Sequence, residues 1–337
     1  MVVLWLSAAM HLIKANLGIG VLGLPFAVMN AGIVVGPLLI LFTGIIIMHC
    51  MHLLVQSSHA FCDRWRLIST RGLSNYFYRS KYMSLGYAEV AEMAVGLYYP
   101  QKKSIGSLLV NIFLIFTQLG FCCIYLIFVA ETLQQILTEQ MYLDVKVWIA
   151  IILAPVILLS FIRTLKVMAV LSAIANVLYV SGIVCLLIYA GQTIQNPETF
   201  PKFVGFASIP LSFSSIVFAF EAIGVILPVE NMMALPRVFR HVINGAMLVV
   251  LLVAVLLGTL GYLSCGQQCL GSFTLNLPNT VFGSTVKLML ATAIFFTYFI
   301  QFYVPMTIII PPLKEKTPEK YHNLVDFGVR TLVVCCT

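Results

Sequence analysis

Charge is scarce in this chain of 337 residues. Only 9% of the residues are charged and 61% are hydrophobic, whereas a soluble domain carries about 25% charged residues. The first acidic residue along the chain is Asp63. This scarcity excludes an ordinary soluble domain and predicts an all-α integral membrane protein with several spans.

Several sequence signals are also missing. The nine cysteines form no C-x-x-C pair and no zinc spacing, and no N-x-[ST] sequon is present. The first apolar span has no small-residue cleavage site, so no cleavable signal peptide is predicted. His49, His52 and His59 approach the predicted cytoplasmic face, and no metal site is predicted there. No nucleophile–base set is visible, and an enzyme is not expected.

Long apolar runs dominate what is present. We predict eight complete membrane spans, at about 3–28, 33–56, 104–132, 146–162, 167–190, 208–231, 241–264 and 284–311. A ninth span begins near Leu324 and is cut off by the end of the chain. The whole chain, 1–337, is therefore predicted to form a single transmembrane domain.

The net charge of +7 is distributed unevenly between the predicted loops. If the N-terminus is cytoplasmic, most lysines and arginines fall in cytoplasmic loops, among them the long loop 57–103. The opposite loops hold only Lys146 and Lys202. The positive-inside rule thus predicts a cytoplasmic N-terminus. Topology explains the positive charge, and no nucleic-acid partner is predicted.

The stretch from Asn16 to Pro25 reads N-L-G-I-G-V-L-G-L-P in the middle of the first span. Three glycines and a proline weaken a helix here, and such a break in a membrane helix indicates a transporter's binding site. Close packing through small residues is the alternative. The glycines also match G-x-G-x-x-G, but no strand precedes them and no acidic residue follows at the required distance, which excludes a dinucleotide site.

A second stretch, Phe218 to Pro228, repeats this pattern in the sixth span. Its Ile-Gly-Val and Leu-Pro sequences match those of the first span, with one residue of slippage. Because five helices separate the two starts, the second copy has the opposite orientation in the membrane. Corresponding broken helices of opposite orientation are typical of inverted-repeat transporters. We predict a first repeat at about 3–190 and a second, incomplete repeat at about 206–337.

These and other motifs resemble the proton-coupled amino acid transporters of the amino acid/auxin permease group. The similar segments include residues 11–16, 30–37, 117–122, 274–278 and 301–305. The resemblance implies a LeuT-type fold with broken first and sixth helices, normally of eleven helices and here truncated in the ninth. It implies proton-coupled symport of glycine, alanine and proline across the plasma or lysosomal membrane. The proton is then the coupling ion, and no other cofactor is expected.

Broken helices suggest where such a substrate would bind. Backbone amides near the first break favour a carboxylate, and unwound carbonyls near the second accept from an ammonium group. Gln118 and Tyr125 belong to a polar stripe of period seven in the third span, which either lines a cavity or joins helices. The predicted substrate-binding residues are Asn16, Gly18, Ile19, Gly20, Val21, Leu22, Gly23, Phe218, Ala219, Phe220, Glu221, Gly224, Gln118 and Tyr125.

Two ionisable residues within spans are candidates for proton coupling. His11 matches by position the first-helix histidine that is implicated in proton coupling in the resembled family, and histidine titrates near about pH 6.5. Glu221 lies in the sixth span's break. The alternatives are an ordinary hydrogen-bonded histidine and a carboxylate that holds broken-helix amides.

Two further alternatives for the whole chain remain open. Because the second repeat is incomplete, the chain could be a non-transporting amino-acid-binding or regulatory partner. A sodium-coupled amino acid carrier is the nearest variant within the class of transporters. Cys265 and Cys269 are expected either to pair with each other or to stay reduced.

Overall fold

The computed structural model describes residues 5–70, 85–137, 143–162, 165–233 and 238–337. Its helices, in chain order, are α1 Trp5–Asn16, α2 Ile19–Leu22, α3 Leu24–Ala31, α4 Val35–Thr70, α5 Tyr87–Tyr98, α6 Ser104–Leu137, α7 Val145–Ser160, α8 Leu165–Gln192, α9 Ile209–Ala219, α10 Ile226–Asn231, α11 Phe239–Cys265, α12 Val281–Glu315 and α13 His322–Cys336.

Within the described residues, six helical segments are long and apolar enough to cross a membrane. By length and composition, they are Val35–Asp63, Pro100–Leu137, Leu171–Gln192, Phe206–Asn231, Phe239–Gln268 and Val281–Glu315. A shorter apolar helix, Val145–Ser160, corresponds to the predicted fourth span. The predicted first span is divided into α1, α2 and α3, and α13 covers the predicted start of the ninth. The prediction of a helical, multi-pass membrane protein is confirmed at this level.

The chain forms two compact units, each built from two separate stretches. Unit 1 comprises Met1–Ile112 and Asn196–Tyr262, and unit 2 comprises Phe113–Gln195 and Leu263–Thr337. Each unit contains one stretch from the first predicted repeat and one from the second. The units and the repeats therefore divide the chain differently. The boundaries of the repeats stay a prediction.

Within unit 1, α3 packs against α9 and α4. The buried hydroxyl of Ser212 on α9 donates a hydrogen bond to the carbonyl oxygen of Ala27 on α3, at 2.5 Å. At the end of α3, Gly32 adopts a φ of +104°, which favours glycine. A Cβ atom at Gly32 would lie 2.5 Å from the carbonyl oxygen of Lys202. The turn after α3 is therefore held tightly against the loop that precedes α9.

Within unit 2, α8 packs along α12, and α13 packs against α7 and α12. A cluster of charged side chains joins α7, α12 and α13. The Asp326 carboxylate accepts from Arg330 Nε at 2.6 Å and from Lys314 Nζ at 2.9 Å. Arg330 also donates to the carbonyl oxygen of Ser160 at 2.9 Å. This cluster, composed of Lys314, Asp326, Arg330 and the Ser160 carbonyl, fixes α13 to α7 and α12.

A disulfide joins Cys265 and Cys269, whose Cα atoms are 5.1 Å apart. Of the two states expected from the sequence, the structure shows the paired one. We therefore expect a peptide that contains both residues, prepared without reductant, to be lighter than the reduced peptide by the mass of two hydrogen atoms. Peptide mass spectrometry with and without reductant checks this. Equal masses in the two samples would show that the thiols stay reduced.

Candidate functional site

The first helix break lies in unit 1 between α1 and α3. Helix α1 ends at Asn16, and Gly18 is extended, with φ −95° and ψ −165°. Only four residues then form α2 before α3 begins after Gly23. Pro25 occupies an early position of α3, where its missing amide hydrogen costs least. The glycines and the proline thus interrupt the helix where the sequence predicts a break.

The second break lies in the same unit, between α9 and α10. Helix α9 ends at Ala219, and Phe220 leaves the helical conformation with φ −112° and ψ +63°. Glu221 follows, and a 3₁₀ turn, Ala222–Val225, leads into α10. The last carbonyl groups of a helix have no partners within it. The end of α9 therefore presents backbone acceptors at this break.

The two breaks contact each other directly. A Cβ atom added at Gly20 would lie 2.6 Å from the carbonyl oxygen of Phe218 and 2.7 Å from the Cα atom of Ala219. Every residue of α2 is buried. The structure thus brings together Gly20, Phe218 and Ala219, three of the predicted site residues, by backbone contact that only glycine allows.

Asn16 is a buried polar residue beside the first break. It is 1% exposed, and its Nδ2 donates to the carbonyl oxygen of Leu12 at 2.9 Å. Its Oδ1 atom is buried and has no hydrogen-bond partner in the described part of the chain. Glu221 and Gly224 lie at the second break and are half-buried. The site therefore combines the interrupted backbone of two helices with one buried amide oxygen that has no hydrogen-bond partner among the described residues.

His11, predicted to couple protons, lies on α1 five residues before Asn16. Its side chain is exposed, whereas Leu12 and Asn16 on the same helix are buried. The structure does not bring its imidazole into the buried contact between the breaks. Its role in proton coupling stays a prediction.

Gln118 and Tyr125, predicted to line a cavity, belong to unit 2. Both are buried on α6, and the Gln301 side-chain amide donates to the Tyr125 hydroxyl at 3.5 Å. Gln118 Oε1 is buried without a hydrogen-bond partner among the residues that the structure describes. These contacts are compatible with either role that the sequence left open, and substrate binding by this pair stays a prediction.

Sequence reasoning missed a buried cation on α12. Lys287 is 1% exposed, and its ammonium group donates to Asn279 Oδ1 at 2.9 Å. Both residues line a cavity of about 370 Å³ in unit 2, together with Gln135, Leu275, Leu277 and Pro278. A lysine inside the predicted eighth span was the available signal. The average hydropathy of the surrounding residues concealed it.

Sequence reasoning also missed an ion pair in unit 1. Nε2 of His59 on α4 lies 2.5 Å from Oε1 of Glu230 on α10. The two residues are 171 positions apart, so no local pattern could join them. The available signal was a carboxylate near the inner end of the sixth span.

An all-helical membrane protein in which two interrupted helices meet is typical of secondary transporters. The family model described as transmembrane amino acid transporter protein matches residues 1–337. The chain belongs to this family, whose members are transporters and not enzymes.

Two relatives illustrate the range of the family. The proton-coupled amino acid transporter-like protein pathetic of Drosophila melanogaster is 34% identical over 337 residues, covering 96% of this chain and 67% of the relative. Vacuolar amino acid transporter 4 of Saccharomyces cerevisiae is 27% identical over 341 residues, covering 95% of this chain and 42% of the relative. The chain thus spans about two thirds and less than half of the lengths of these two proteins.

Proposed function

We propose that this chain is a proton-coupled symporter of small neutral amino acids such as glycine, alanine and proline. The contact between the two helix breaks carries the proposal. Gly20 lies so close to Phe218 and Ala219 that a single added carbon atom would collide with backbone. A site lined by glycine and by main chain in this way leaves little room for a large substrate side chain.

The binding mode follows from the chemistry of the broken helices. Amides around Gly18 to Leu22 would bind the substrate carboxylate, and carbonyl groups around Phe218 to Glu221 would bind its ammonium group. The buried Oδ1 atom of Asn16 adds a further acceptor near the first break. A zwitterionic amino acid carries its ammonium and carboxylate groups on the same α-carbon. A site with donors on the first break and acceptors on the second therefore suits it.

Proton coupling in this proposal depends on His11 and Glu221. Glu221 lies at the second break, where a change in its charge would act directly on the substrate-binding carbonyls. The exposed imidazole of His11 can exchange protons with water near physiological pH. The Drosophila relative is named as a proton-coupled amino acid transporter-like protein. This name supports the proton as the coupling ion of the present chain.

The arrangement of unit 1 supports an inverted repeat of the LeuT type. This unit combines both interrupted helices with α4 and α11, the long helix that follows each of them. Helices in corresponding positions of two repeats are expected to pack together in this way. We place the N-terminus in the cytoplasm from the loop charges. The plasma and lysosomal membranes are the proposed locations, and the yeast relative is named as a vacuolar transporter.

Uptake of radiolabelled proline and glycine into vesicles that contain this chain is expected to rise with an inward proton gradient. Replacing sodium with choline at fixed pH should leave uptake unchanged. His11→Ala is expected to reduce gradient-driven uptake by about tenfold, because the variant cannot bind the coupling proton at this position. The measurement is the initial rate of uptake with and without the gradient.

Two outcomes would contradict the proposal. If uptake requires sodium and ignores the proton gradient, the chain is a sodium-coupled carrier. If a folded preparation binds proline but shows no gradient-driven uptake, the chain acts as an amino-acid-binding or regulatory partner instead. Binding is measured in detergent by isothermal titration, which separates these results from a misfolded sample.

A further inference from the structure

A buried carboxylate on α10 is paired with a histidine on α4. Oε1 of Glu230 lies 2.5 Å from Nε2 of His59. The Glu230 side chain is only 4% exposed, whereas the His59 side chain is 48% exposed. We call these two residues the His59–Glu230 pair. It has one end buried among helices and one end open to the surroundings.

The pair is attached to the element that carries the second helix break. Helix α10 has six residues and follows directly from the 3₁₀ turn Ala222–Val225. It packs against α1 and α4, and the Asn231 side chain donates to the carbonyl oxygen of Leu85 at 3.2 Å. A change in the strength of the His59–Glu230 contact therefore acts on the segment that positions Glu221 and the neighbouring carbonyls.

Protons can reach the open end of the pair. His59 lies three residues beyond the end of the second span predicted from sequence and four residues before the end of the apolar helical segment Val35–Asp63. Its imidazole is thus near the boundary of the bilayer, while Glu230 is covered by protein. When Glu230 is ionised, Nε2–H of His59 donates to Oε1, and Nδ1 is the nitrogen that remains to bind a proton.

The charge of the pair depends on that proton. With neutral imidazole the pair carries a net charge of −1, and with Nδ1 protonated its net charge is zero. A buried carboxylate without a cationic partner is costly in an apolar environment. Proton binding therefore strengthens the contact between α4 and α10, and proton release weakens it. Imidazole ordinarily changes charge near about pH 6.5, within the physiological range.

Other titratable groups lie on the elements that pack against α10. They are His11 and Lys14 on α1, Glu221 before the 3₁₀ turn, and His49, Cys50, His52, Cys62 and Asp63 on α4. The ion pair that the structure shows for Glu230 is with His59. This contact makes His59 the group whose protonation acts on Glu230 at hydrogen-bond distance.

We propose that the His59–Glu230 pair is a proton-binding site that couples proton movement to amino acid transport. One proton binds to Nδ1 of His59 from water and leaves to water, and only the N–H bond forms and breaks. This inference rests on the proposed function, because it assigns a second coupling position to the same carrier. It differs from the prediction for His11 and Glu221, since the pair lies beyond the break and acts through α10.

Two substitutions test the pair, and the chain offers a matched control. Glu230→Gln removes the charge and keeps a hydrogen-bond acceptor, and His59→Gln removes the titrating ring. The control is His52→Gln on the same helix, where Nε2 of His52 contacts the uncharged Asn244 Oδ1 at 2.6 Å. The His52–Asn244 and His59–Glu230 contacts are thus both hydrogen bonds between a histidine and another helix. Of the two, the His59–Glu230 contact is the one that contains a carboxylate.

We expect both variants of the pair to reduce gradient-driven accumulation by about tenfold or more. Exchange of labelled for unlabelled amino acid, measured at equal pH on both sides, should stay within about twofold of the unmodified chain, because exchange needs no net proton movement. His52→Gln should retain both activities. Proteoliposomes with matched protein content provide the two measurements from one preparation.

Two transport results would overturn the inference. The first is a Glu230→Gln variant with unchanged gradient response, which would show that the carboxylate is not needed for coupling. The second is the loss of exchange together with accumulation in folded Glu230→Gln, which would indicate a structural role for the contact. An unmodified chain that neither accumulates nor exchanges would instead contradict the proposed function.

A spectroscopic measurement tests the pair without transport. In purified protein with ring-labelled histidines, the resonance that is absent from His59→Gln should change with pH as the ring gains and loses a proton. Its titration should change in Glu230→Gln and stay the same in His52→Gln. A His59 resonance that does not titrate, or that ignores Glu230→Gln, would refute proton binding by the pair.

Discussion

Gly20→Ala is expected to abolish amino acid uptake. The added Cβ atom would lie 2.6 Å from the carbonyl oxygen of Phe218, 2.7 Å from the Cα atom of Ala219 and 2.9 Å from its amide nitrogen. All three are backbone atoms, which cannot turn away as the end of a flexible side chain can. Overpacking of this kind costs about 1–3 kcal/mol or more, and here it separates the two breaks that form the proposed site. Uptake of radiolabelled proline is the measurement.

Gly245→Ala is the matched control for this substitution. Gly245 lies within helix α11 of the same unit, and a Cβ atom there would meet nothing within 4 Å. Because alanine favours helices more than glycine, this variant should fold and transport at least as well as the unmodified chain. Normal uptake by Gly20→Ala would show that α2 and α9 can separate without loss of function, and the proposed site would then be wrong.

Arg330→Ala is expected to lower the free energy of unfolding by about 3–5 kcal/mol, because it removes one partner from a buried group of charges. Arg330 donates to Asp326 at 2.6 Å and to the Ser160 carbonyl at 2.9 Å. Without it, Asp326 loses one of the two cationic partners that the structure shows, Lys314 being the other, and the hydrogen bond from Arg330 on α13 to the Ser160 carbonyl on α7 is lost. Thermal unfolding in detergent, followed by circular dichroism, provides the measurement.

Two further variants separate charge from packing in this cluster. Arg240 is an exposed arginine on α11, so Arg240→Ala should change stability by less than about 0.5 kcal/mol. Replacing Lys314, Asp326 and Arg330 together with methionine, leucine and methionine should recover most of the lost stability, since apolar residues of similar volume need no partner. A triple variant as unstable as Arg330→Ala would show that the charges are required for the fold.

The helix breaks could be predicted from sequence because their causes are local. Gly18, Gly23 and Pro25 act on the backbone of their own turns, whatever surrounds them. The break after Ala219 was predicted by the match with the first span and not by its own residues.

The contacts between distant segments could not be predicted in this way. No local pattern in the sequence joins His59 to Glu230, which lies 171 positions away. Lys287 and Arg330 lie in predicted spans. A single charged residue changes the average hydropathy of such a span too little to be noticed. Arg330 pairs with Asp326 one turn earlier on the same helix, but its contact with the Ser160 carbonyl, 170 positions away, is determined only by the fold. Local patterns therefore located the breaks but missed the charges buried around them.

The close contact between Gly20 and Phe218 also means that the proposed site can form only late in biosynthesis. These residues are about 200 positions apart, and a ribosome that adds about 5–20 residues per second needs about 10–40 s to connect them. Throughout that interval α2 has no α9 to pack against, although its interrupted backbone requires hydrogen-bond partners in a membrane. Until α9 is made, water, lipid head groups or the insertion machinery must therefore supply hydrogen-bond partners to the newly made segment that contains α1, α2 and α3. Premature release into lipid would favour a continuous, inactive first helix.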